Sequence, residues 1–173
     1  VEGCSAVSGP EAECGNGLVR QMALEGCGLV LEGNSIAGHL RGACKVALMA
    51  CTLGAVSERE MRKHEAISVA DGVMFGLEID REIQRSALYS PARALLLQAL
   101  GAERIEALCD AFCAARAAAE GRALRPRFSP GYGDLPLSAQ PALLKALDAS
   151  RRLGIAVTST NMLVPVKSVT AVL

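Results

Sequence analysis

The residues best suited to chemistry in this 173-residue chain fall in one short stretch. That stretch reads Arg127-Phe128-Ser129-Pro130-Gly131-Tyr132-Gly133-Asp134. Pro130-Gly131 predicts a type II turn, because proline presets φ at the second position and glycine accepts the positive φ that the third position needs. A guanidinium, a hydroxyl and a phenol on such a turn suit a small ligand that carries a carboxylate and a flat ring. The same residues also fit a tight loop that only connects a helix to the last layer of the fold, so both interpretations stand at this point.

The cysteines and histidines are the other residues with reactive or metal-binding side chains. The chain has seven cysteines and two histidines, His39 and His64, and contains no Cys-x-x-Cys pair. An odd cysteine count, mostly within apolar segments, predicts reduced thiols in a cytoplasmic protein rather than a disulfide framework. Cys109 and Cys113 share a helix face and would provide two ligands for a soft metal. No further ligand is spaced to complete a site, so core packing is the favoured interpretation and no metal is predicted.

Composition limits the classes of function. With 51% hydrophobic and 21% charged residues, the chain is predicted to be globular rather than disordered, as a single domain over residues 1–173. The formal net charge is zero and no basic stripe with interleaved aromatics occurs, so nucleic acid is not an expected partner. No apolar run is long enough to span a bilayer, so no membrane is expected. No nucleophile–base pair is evident, and no catalytic residue is predicted.

The first third of the chain yields three predicted elements. Residues 1–28 are rich in Gly, Cys, Glu and Ser and have weak periodicity; residues 19–25 fit either a short helix or a strand, and no element is assigned to the rest. Residues 29–33 predict a strand that ends at a glycine. Asn34 and Ser35 are favourable N-cap residues for the short helix that follows. The nearly unbroken apolar run at residues 45–53 predicts a buried strand.

The middle of the chain is predicted to be helical. A capping-box pattern at residues 57–60 and alternating charge over residues 60–65 predict a solvated helix, with Asp71-Gly72 as a turn after it. Residues 78–85 predict an amphipathic helix. Ser90 followed by a proline predicts the start of the longest helix, which ends at Gly121. Gly101 interrupts that helix at a cost of about 1 kcal/mol relative to alanine, so close packing or a break is expected there.

The last part of the chain contains the elements that follow the 127–134 stretch. Ser138 predicts the cap of a helix over residues 139–153, and residues 155–160 and 168–173 predict strands. This order of elements predicts an α+β fold in which several helices pack on an antiparallel or mixed sheet.

A resemblance to a known family rests on the 127–134 stretch and its neighbours. Residues 127–137 resemble the Arg-x-x-x-Gly-Tyr motif of the activation domain of cobalamin (vitamin B12)-dependent methionine synthase. The other similar segments are residues 31–36, 39–40, 47–54, 78–110, 138–140, 155–158 and 162–171. The similarity covers most of residues 29–173 and is greatest to short stand-alone bacterial relatives, in which residues 55–76 have no counterpart and look like an insertion. It implies a twisted antiparallel sheet in a curved, cap-like domain.

The resemblance also implies a function. Members of that family bind S-adenosylmethionine (SAM) and present its sulfonium methyl to reduced cobalamin on a partner protein. This step rescues cofactor that has been oxidised to cob(II)alamin, with an electron from a flavodoxin-like donor. The chain would then belong to the methionine synthase (methyltransferase) system of methionine biosynthesis in the cytoplasm. It would show no turnover alone, because the cobalt chemistry lies in the cobalamin-binding partner.

The resemblance assigns SAM-binding roles by position. Arg127 would pair with the methionyl part of SAM, the backbone around Ser129 and Gly131 would form hydrogen bonds with it, and Tyr132 would border the reacting end. A helix carboxylate contributes in the family, and Glu106 is the expected equivalent. Asp110 is the alternative because the alignment can slip by one helical turn, and either residue also fits an ordinary exposed helix acid.

Two other functions remain open from the sequence. The chain would fit a partner-binding or scaffold subunit that keeps this fold without binding SAM. It would also fit an activator that serves a different corrinoid methyltransferase.

Overall fold

A computed structural model describes residues 5–14, 17–54, 67–69, 72–74 and 76–173. The described part of the chain is mixed α+β, with five α-helices and several small antiparallel sheets, which confirms the predicted α+β class. The chain divides into two compact units. The first unit comprises Val1–Ala50, Arg125–Ala149 and Thr170–Leu173, and the second comprises Cys51–Leu124 and Ser150–Val169.

A three-stranded antiparallel sheet opens the first unit. Its strands are β1 (Ser5–Cys14), β2 (Gly17–Glu25) and β3 (Leu29–Glu32), in that spatial order. Met22 pairs with Leu31, Leu24 pairs with Leu29, and all four side chains are buried. Alternate residues of a strand point to the same face, so these four apolar side chains share one covered face. The strand predicted at residues 29–33 is confirmed. Of the two possibilities for residues 19–25 the strand is correct, as β2, whereas β1 occupies a segment to which the sequence assigned no element.

Helix α1 (Asn34–Leu40) follows β3 and buries Ile36, Ala37 and Leu40 against the first unit. Its existence and length agree with the sequence prediction. The capping prediction is wrong, because the helix begins one residue earlier than expected and Gly33 holds the N-cap position. Gly33 has no side chain with which to cap, so the first N–H groups of α1 need an acceptor from elsewhere in the chain.

Strands β4 (Leu48–Thr52) and β9 (Ser168–Val172) form a two-stranded sheet, and both were predicted. Ala47 and Leu173 exchange two backbone hydrogen bonds of 3.1 and 2.9 Å, and the Leu53 N–H donates to the Lys167 carbonyl at 3.1 Å. The partners run in opposite directions along the two strands, so the pairing is antiparallel.

The helix predicted over residues 139–153 is interrupted. It is replaced by a single-turn 3-10 helix at Leu137–Ala139, α4 (Gln140–Leu147) and α5 (Ala149–Leu153). Asp148 separates α4 from α5 because its backbone is left-handed, with φ of 52°. Aspartate tolerates that conformation better than most residues, and a single left-handed residue ends a helix.

Helices α2 (Gly76–Tyr89) and α3 (Pro91–Glu120) dominate the second unit. Both helices agree with the predictions, and α3 ends at Gly121 in the left-handed conformation, with φ of 61°. The carboxylate of Glu82 accepts hydrogen bonds from Ser86 and Tyr89 of its own helix and from Arg93 of α3, all at 3.2–3.3 Å. This side chain therefore links the end of α2 to the start of α3.

Helix α3 is continuous through Gly101, which is buried. A Cβ at this position would lie 2.8 Å from Cε of Lys167, so of the two expectations for Gly101 close packing is correct. The Lys167 side chain is only 5% exposed and donates from Nζ to Oε1 of Gln98 at 2.8 Å. Burial lowers the pKa of Lys167, and the nearby Asp80 carboxylate partly offsets that effect.

Part of the solvated helix predicted from residue 57 to the Asp71-Gly72 turn is wrong. Ile67–Val69 form strand β5, which pairs antiparallel with β6 (Gly72–Met74), with Ile67 opposite Met74. Residues 57–66, 70 and 71 of that prediction lie outside the described residues. Ile67 and Val69 are β-branched and favour a strand, so the charge pattern upstream extended the helix prediction too far.

The strand predicted over residues 155–160 is shorter than expected. Only Ala156–Val157 form β7, which pairs with β8 (Leu163–Val164). Thr158 begins a turn instead, because its carbonyl accepts the Asn161 N–H at 3.0 Å and its hydroxyl accepts the Met162 N–H at 3.1 Å. Threonine side chains of this kind favour turns by competing for backbone donors.

Candidate functional site

The Arg127–Tyr132 motif lies on a turn of the first unit whose geometry agrees with the sequence prediction. The Tyr132 N–H donates to the Ser129 carbonyl at 3.1 Å, and Gly131 has φ of 89°. Pro130 and Gly131 therefore occupy the two central positions of a type II turn. The Gly131 N–H donates to the Leu135 carbonyl at 2.8 Å, and the Leu135 N–H donates to the Tyr132 carbonyl at 3.2 Å. These bonds fix the backbone of the loop from Ser129 to Leu135.

The base of the loop is anchored by Phe128. Its N–H and carbonyl each form a 2.9 Å hydrogen bond with the backbone of Val172, and its side chain is buried. The Phe128 ring meets His39 of α1 at a centroid distance of 5.1 Å and meets the edge of Tyr132 at 5.5 Å. Tyr132 itself is 70% exposed. The buried phenylalanine thus supports an exposed tyrosine through an edge-to-face contact.

Four of the five predicted SAM-binding residues share this loop. Arg127 and Ser129 are half-buried, whereas Gly131 and Tyr132 are exposed. A Cβ on Gly131 would lie 3.1 Å from Cδ2 of Leu137, and the positive φ disfavours any side chain there. The loop therefore offers exposed backbone at Gly131 beside an exposed aromatic ring.

The fifth predicted residue, Glu106, lies on α3 in the second unit and is exposed. Its alternative, Asp110, is exposed one turn later on the same helix. Ile105 and Cys109 are the buried residues next to them, so the two acids face away from the buried stripe of α3. Both assignments stay predictions.

Two charged side chains that sequence reasoning missed hold the loop segment against α1. Asp134 accepts the N–H groups of Asn34 and Ser35 at 2.6 and 2.9 Å, so it supplies the N-terminal cap that Gly33 cannot. Arg125 donates to the carbonyls of His39 and Arg41, the latter at 2.8 Å, at the other end of the helix. An anion at the N-terminus and a cation at the C-terminus both complement the helix dipole.

The Asp134 carboxylate is electrostatically stabilised in this position. Partial burial raises the pKa of Asp134, but the hydrogen bonds from Ser35 and Asn34 outweigh burial and the net shift is downward. Aspartate is a favoured capping residue, so its type is one signal in the sequence. Sequence patterns for caps are local, however, and no such pattern links residue 134 to a helix that begins at residue 34.

His39 is the titratable residue beneath the loop. Its Nε2 atom is buried and has no hydrogen-bond partner among the described residues. Burial lowers the pKa of His39, and the positive charge of Arg125 lowers it further. The imidazole is therefore neutral at pH 7 and acts as an aromatic neighbour of Phe128.

The described residues contain no group of three or more His, Cys, Asp and Glu side chains arranged to hold a metal ion. The cysteines whose side chains the structure describes are thiols rather than disulfide halves. No helix within the described ranges is both long enough and apolar enough to cross a membrane.

The 127–134 stretch is a hydrogen-bonded loop of the first unit that leaves Gly131 and Tyr132 exposed. The sequence matches no protein-family model and no curated protein. The resemblance therefore rests on the 127–137 motif and on the similar segments within residues 29–173.

Proposed function

We propose that this chain binds SAM at the 127–134 loop and serves as a reactivation module for cobalamin-dependent methionine synthase. In this role it presents the SAM methyl group for reductive methylation of cob(II)alamin. The cobalamin is held by a partner protein in the cytoplasm, and a flavodoxin-like protein donates the electron. Arg127, Ser129, Gly131 and Tyr132 contact SAM, and Glu106 contributes a carboxylate.

One observation supports the proposal most directly. The last four residues of the Arg-x-x-x-Gly-Tyr motif, 129–132, form a hydrogen-bonded type II turn that leaves Gly131 and Tyr132 exposed. Exposed backbone at a glycine allows a ligand to approach closely, and the face of a phenol ring attracts a sulfonium cation. Arg127 provides the planar donor group that suits the ligand carboxylate.

In the proposed function, this chain only has to position the SAM methyl group. Methyl transfer from a sulfonium to a cobalt nucleophile needs the two reactants aligned and water excluded. Reduced cobalt on the partner would supply the electron pair of the new carbon–cobalt bond, and the thioether would leave with the electrons of the broken carbon–sulfur bond, so no proton is needed. No acid or base on this chain is required, which is consistent with an exposed loop that lacks a nucleophile–base pair among its residues.

Calorimetric titration with SAM tests the proposal. The folded chain is expected to bind SAM, and Arg127→Ala is expected to weaken binding by about 1.5–3 kcal/mol, since it removes a charge-assisted hydrogen bond. Circular dichroism of each variant establishes that it remains folded.

Arg122→Ala is the matched control, because Arg122 is an exposed arginine just before the motif and lies in the second unit. It should leave SAM affinity unchanged. The absence of binding heat at millimolar SAM in a folded sample would contradict the proposal. Equal affinities for the wild type and Arg127→Ala would show that Arg127 does not contribute to SAM binding.

The two alternatives predict different results in the same experiments. A scaffold subunit would show no SAM binding but would still associate with its partner. An activator of another corrinoid methyltransferase would bind SAM and co-purify with a corrinoid protein other than methionine synthase.

A further inference from the structure

Helix α1 and the loop segment are joined at both ends of the helix. The Asp134 carboxylate meets the Asn34 and Ser35 N–H groups at 2.6 and 2.9 Å. The Arg125 guanidinium meets carbonyls in the last turn of α1, including that of Arg41 at 2.8 Å. Arg125 and Asp134 flank the Arg-x-x-x-Gly-Tyr motif in the sequence, so the motif lies between two charge-assisted hydrogen-bonded attachments to the same helix.

The N-terminal attachment depends on two glycines that permit close approach. A Cβ on Gly33 would lie 2.6 Å from Oδ1 of Asp134, and a Cβ on Gly133 would lie 2.9 Å from the Ser35 side chain. Gly33 and Gly133 also have positive φ, at 148° and 57°. Both positions therefore exclude larger residues, which allows the loop backbone to reach the first turn of α1.

The attachment immediately follows the exposed part of the motif. Gly133 and Asp134 form the middle of the turn that the Leu135 N–H closes onto the Tyr132 carbonyl at 3.2 Å. A carboxylate fixed to α1 therefore fixes this turn, and the turn fixes the direction in which Tyr132 leaves the loop.

We propose that Asp134 is a positioning residue: by binding the N-terminus of α1 it holds Gly131 and Tyr132 in the conformation that meets the ligand. The inference rests on the proposed function for the identity of that ligand. Ordering the loop before binding reduces the entropy lost when SAM binds, so affinity depends on a residue that need not touch SAM.

Amide hydrogen exchange tests the positioning role without any ligand. In Asp134→Ala, exchange at the N–H groups of Gly131, Tyr132 and Leu135 should accelerate about fivefold, the usual effect of removing a capping carboxylate. The dissociation constant for SAM should rise by a similar factor. Asp134→Asn retains an acceptor oxygen and should restore most of the protection and the affinity.

A role confined to capping gives a different pattern. It would accelerate exchange only at Asn34 and Ser35, with the loop amides and SAM affinity unchanged, and that pattern overturns the proposal. Glu103→Ala removes an exposed carboxylate of the second unit and should leave all of these amides unchanged.

A second variant covers the case in which Asp134→Ala fails to fold. Arg125→Lys keeps the charge at the opposite end of α1 but replaces two guanidinium donors with one ammonium group. It should accelerate exchange at the same loop amides to a smaller extent. If Asp134→Ala does not fold, loop amides that are as protected in folded Arg125→Lys as in the wild type would overturn the proposal.

The two failures are distinguishable. If the Asp134 variants show the expected changes in exchange but the wild type binds no SAM, the proposed function is refuted and the exchange result still supports ordering of the loop by Asp134. If the wild type binds SAM but substitution of Asp134 does not change exchange at the loop amides, the positioning role alone is refuted.

Discussion

At the scale of single residues, His39 makes the stability of the fold depend on pH. Its Nε2 atom is buried without a partner among the described residues, and its pKa is lowered by burial and then by Arg125. The folded protein therefore binds a proton at His39 less readily than the unfolded chain does. The stability due to neutral His39 is fully present above the unfolded pKa of about 6.5 and is lost as pH falls toward the folded pKa.

We expect the urea midpoint of unfolding to fall as pH is lowered from about 7.5 to about 5, with part of that fall due to His39. His39→Phe keeps an aromatic ring beside Phe128 and cannot titrate, so its midpoint should depend less on pH. His64→Gln is the control, because His64 is the other histidine of the chain. Identical pH profiles for the wild type and His39→Phe would contradict the assignment.

At the scale of elements, the contact between α3 and the segment before β9 determines whether α3 accepts a side chain at position 101. The Lys167 side chain passes over Gly101 with Cε only 2.8 Å from where a Cβ would stand. Alanine would raise helix propensity at this position but would displace the lysine from Gln98. The sign of a Gly101→Ala change thus depends on residue 167.

A double-mutant cycle measures that dependence. In a Lys167→Ala background, Gly101→Ala should stabilise the protein by about 1 kcal/mol, the difference in helix propensity between alanine and glycine. In the wild-type background the gain should be smaller or become a loss. Chemical denaturation of the four proteins gives the coupling energy, and a coupling of zero would show that Lys167 does not restrict Gly101.

At the scale of the whole molecule, zero net charge combines with exposed apolar side chains. The chain carries 18 basic and 18 acidic residues, and Leu88, Leu95 and Leu96 are among the large apolar residues exposed on α2 and α3. Proteins without net charge repel each other least, so association through such side chains is least opposed near neutral pH.

We therefore expect the solubility of this chain to pass through a minimum near pH 7 and to rise toward about pH 9. Precipitation by polyethylene glycol across that range is the measurement. Leu95→Glu adds a charge and removes an apolar side chain, whereas Leu95→Gln removes the apolar side chain alone, so the pair separates the two causes. Solubility that stays flat from pH 6 to pH 9 would contradict a role for net charge.

The sequence by itself determined the features that depend on local backbone preference. Proline followed by glycine specified the type II turn at residues 130–131, and Ser90-Pro91 and Gly121 specified both ends of α3. The α+β class followed from the order of such elements. Each of these signals lies within a few residues of the structure that it specifies.

Only the tertiary structure decided which residues that are far apart in the sequence contact each other. Unit 1 is assembled from three separate segments, and within it Asp134 caps a helix that begins one hundred residues earlier. No local preference of residue 134 encodes that partner, because the contact exists only after β3, α1 and the loop have packed. The tertiary structure also decided how the 127–134 loop is held, since it is fixed at Phe128 and Asp134 while Tyr132 stays exposed.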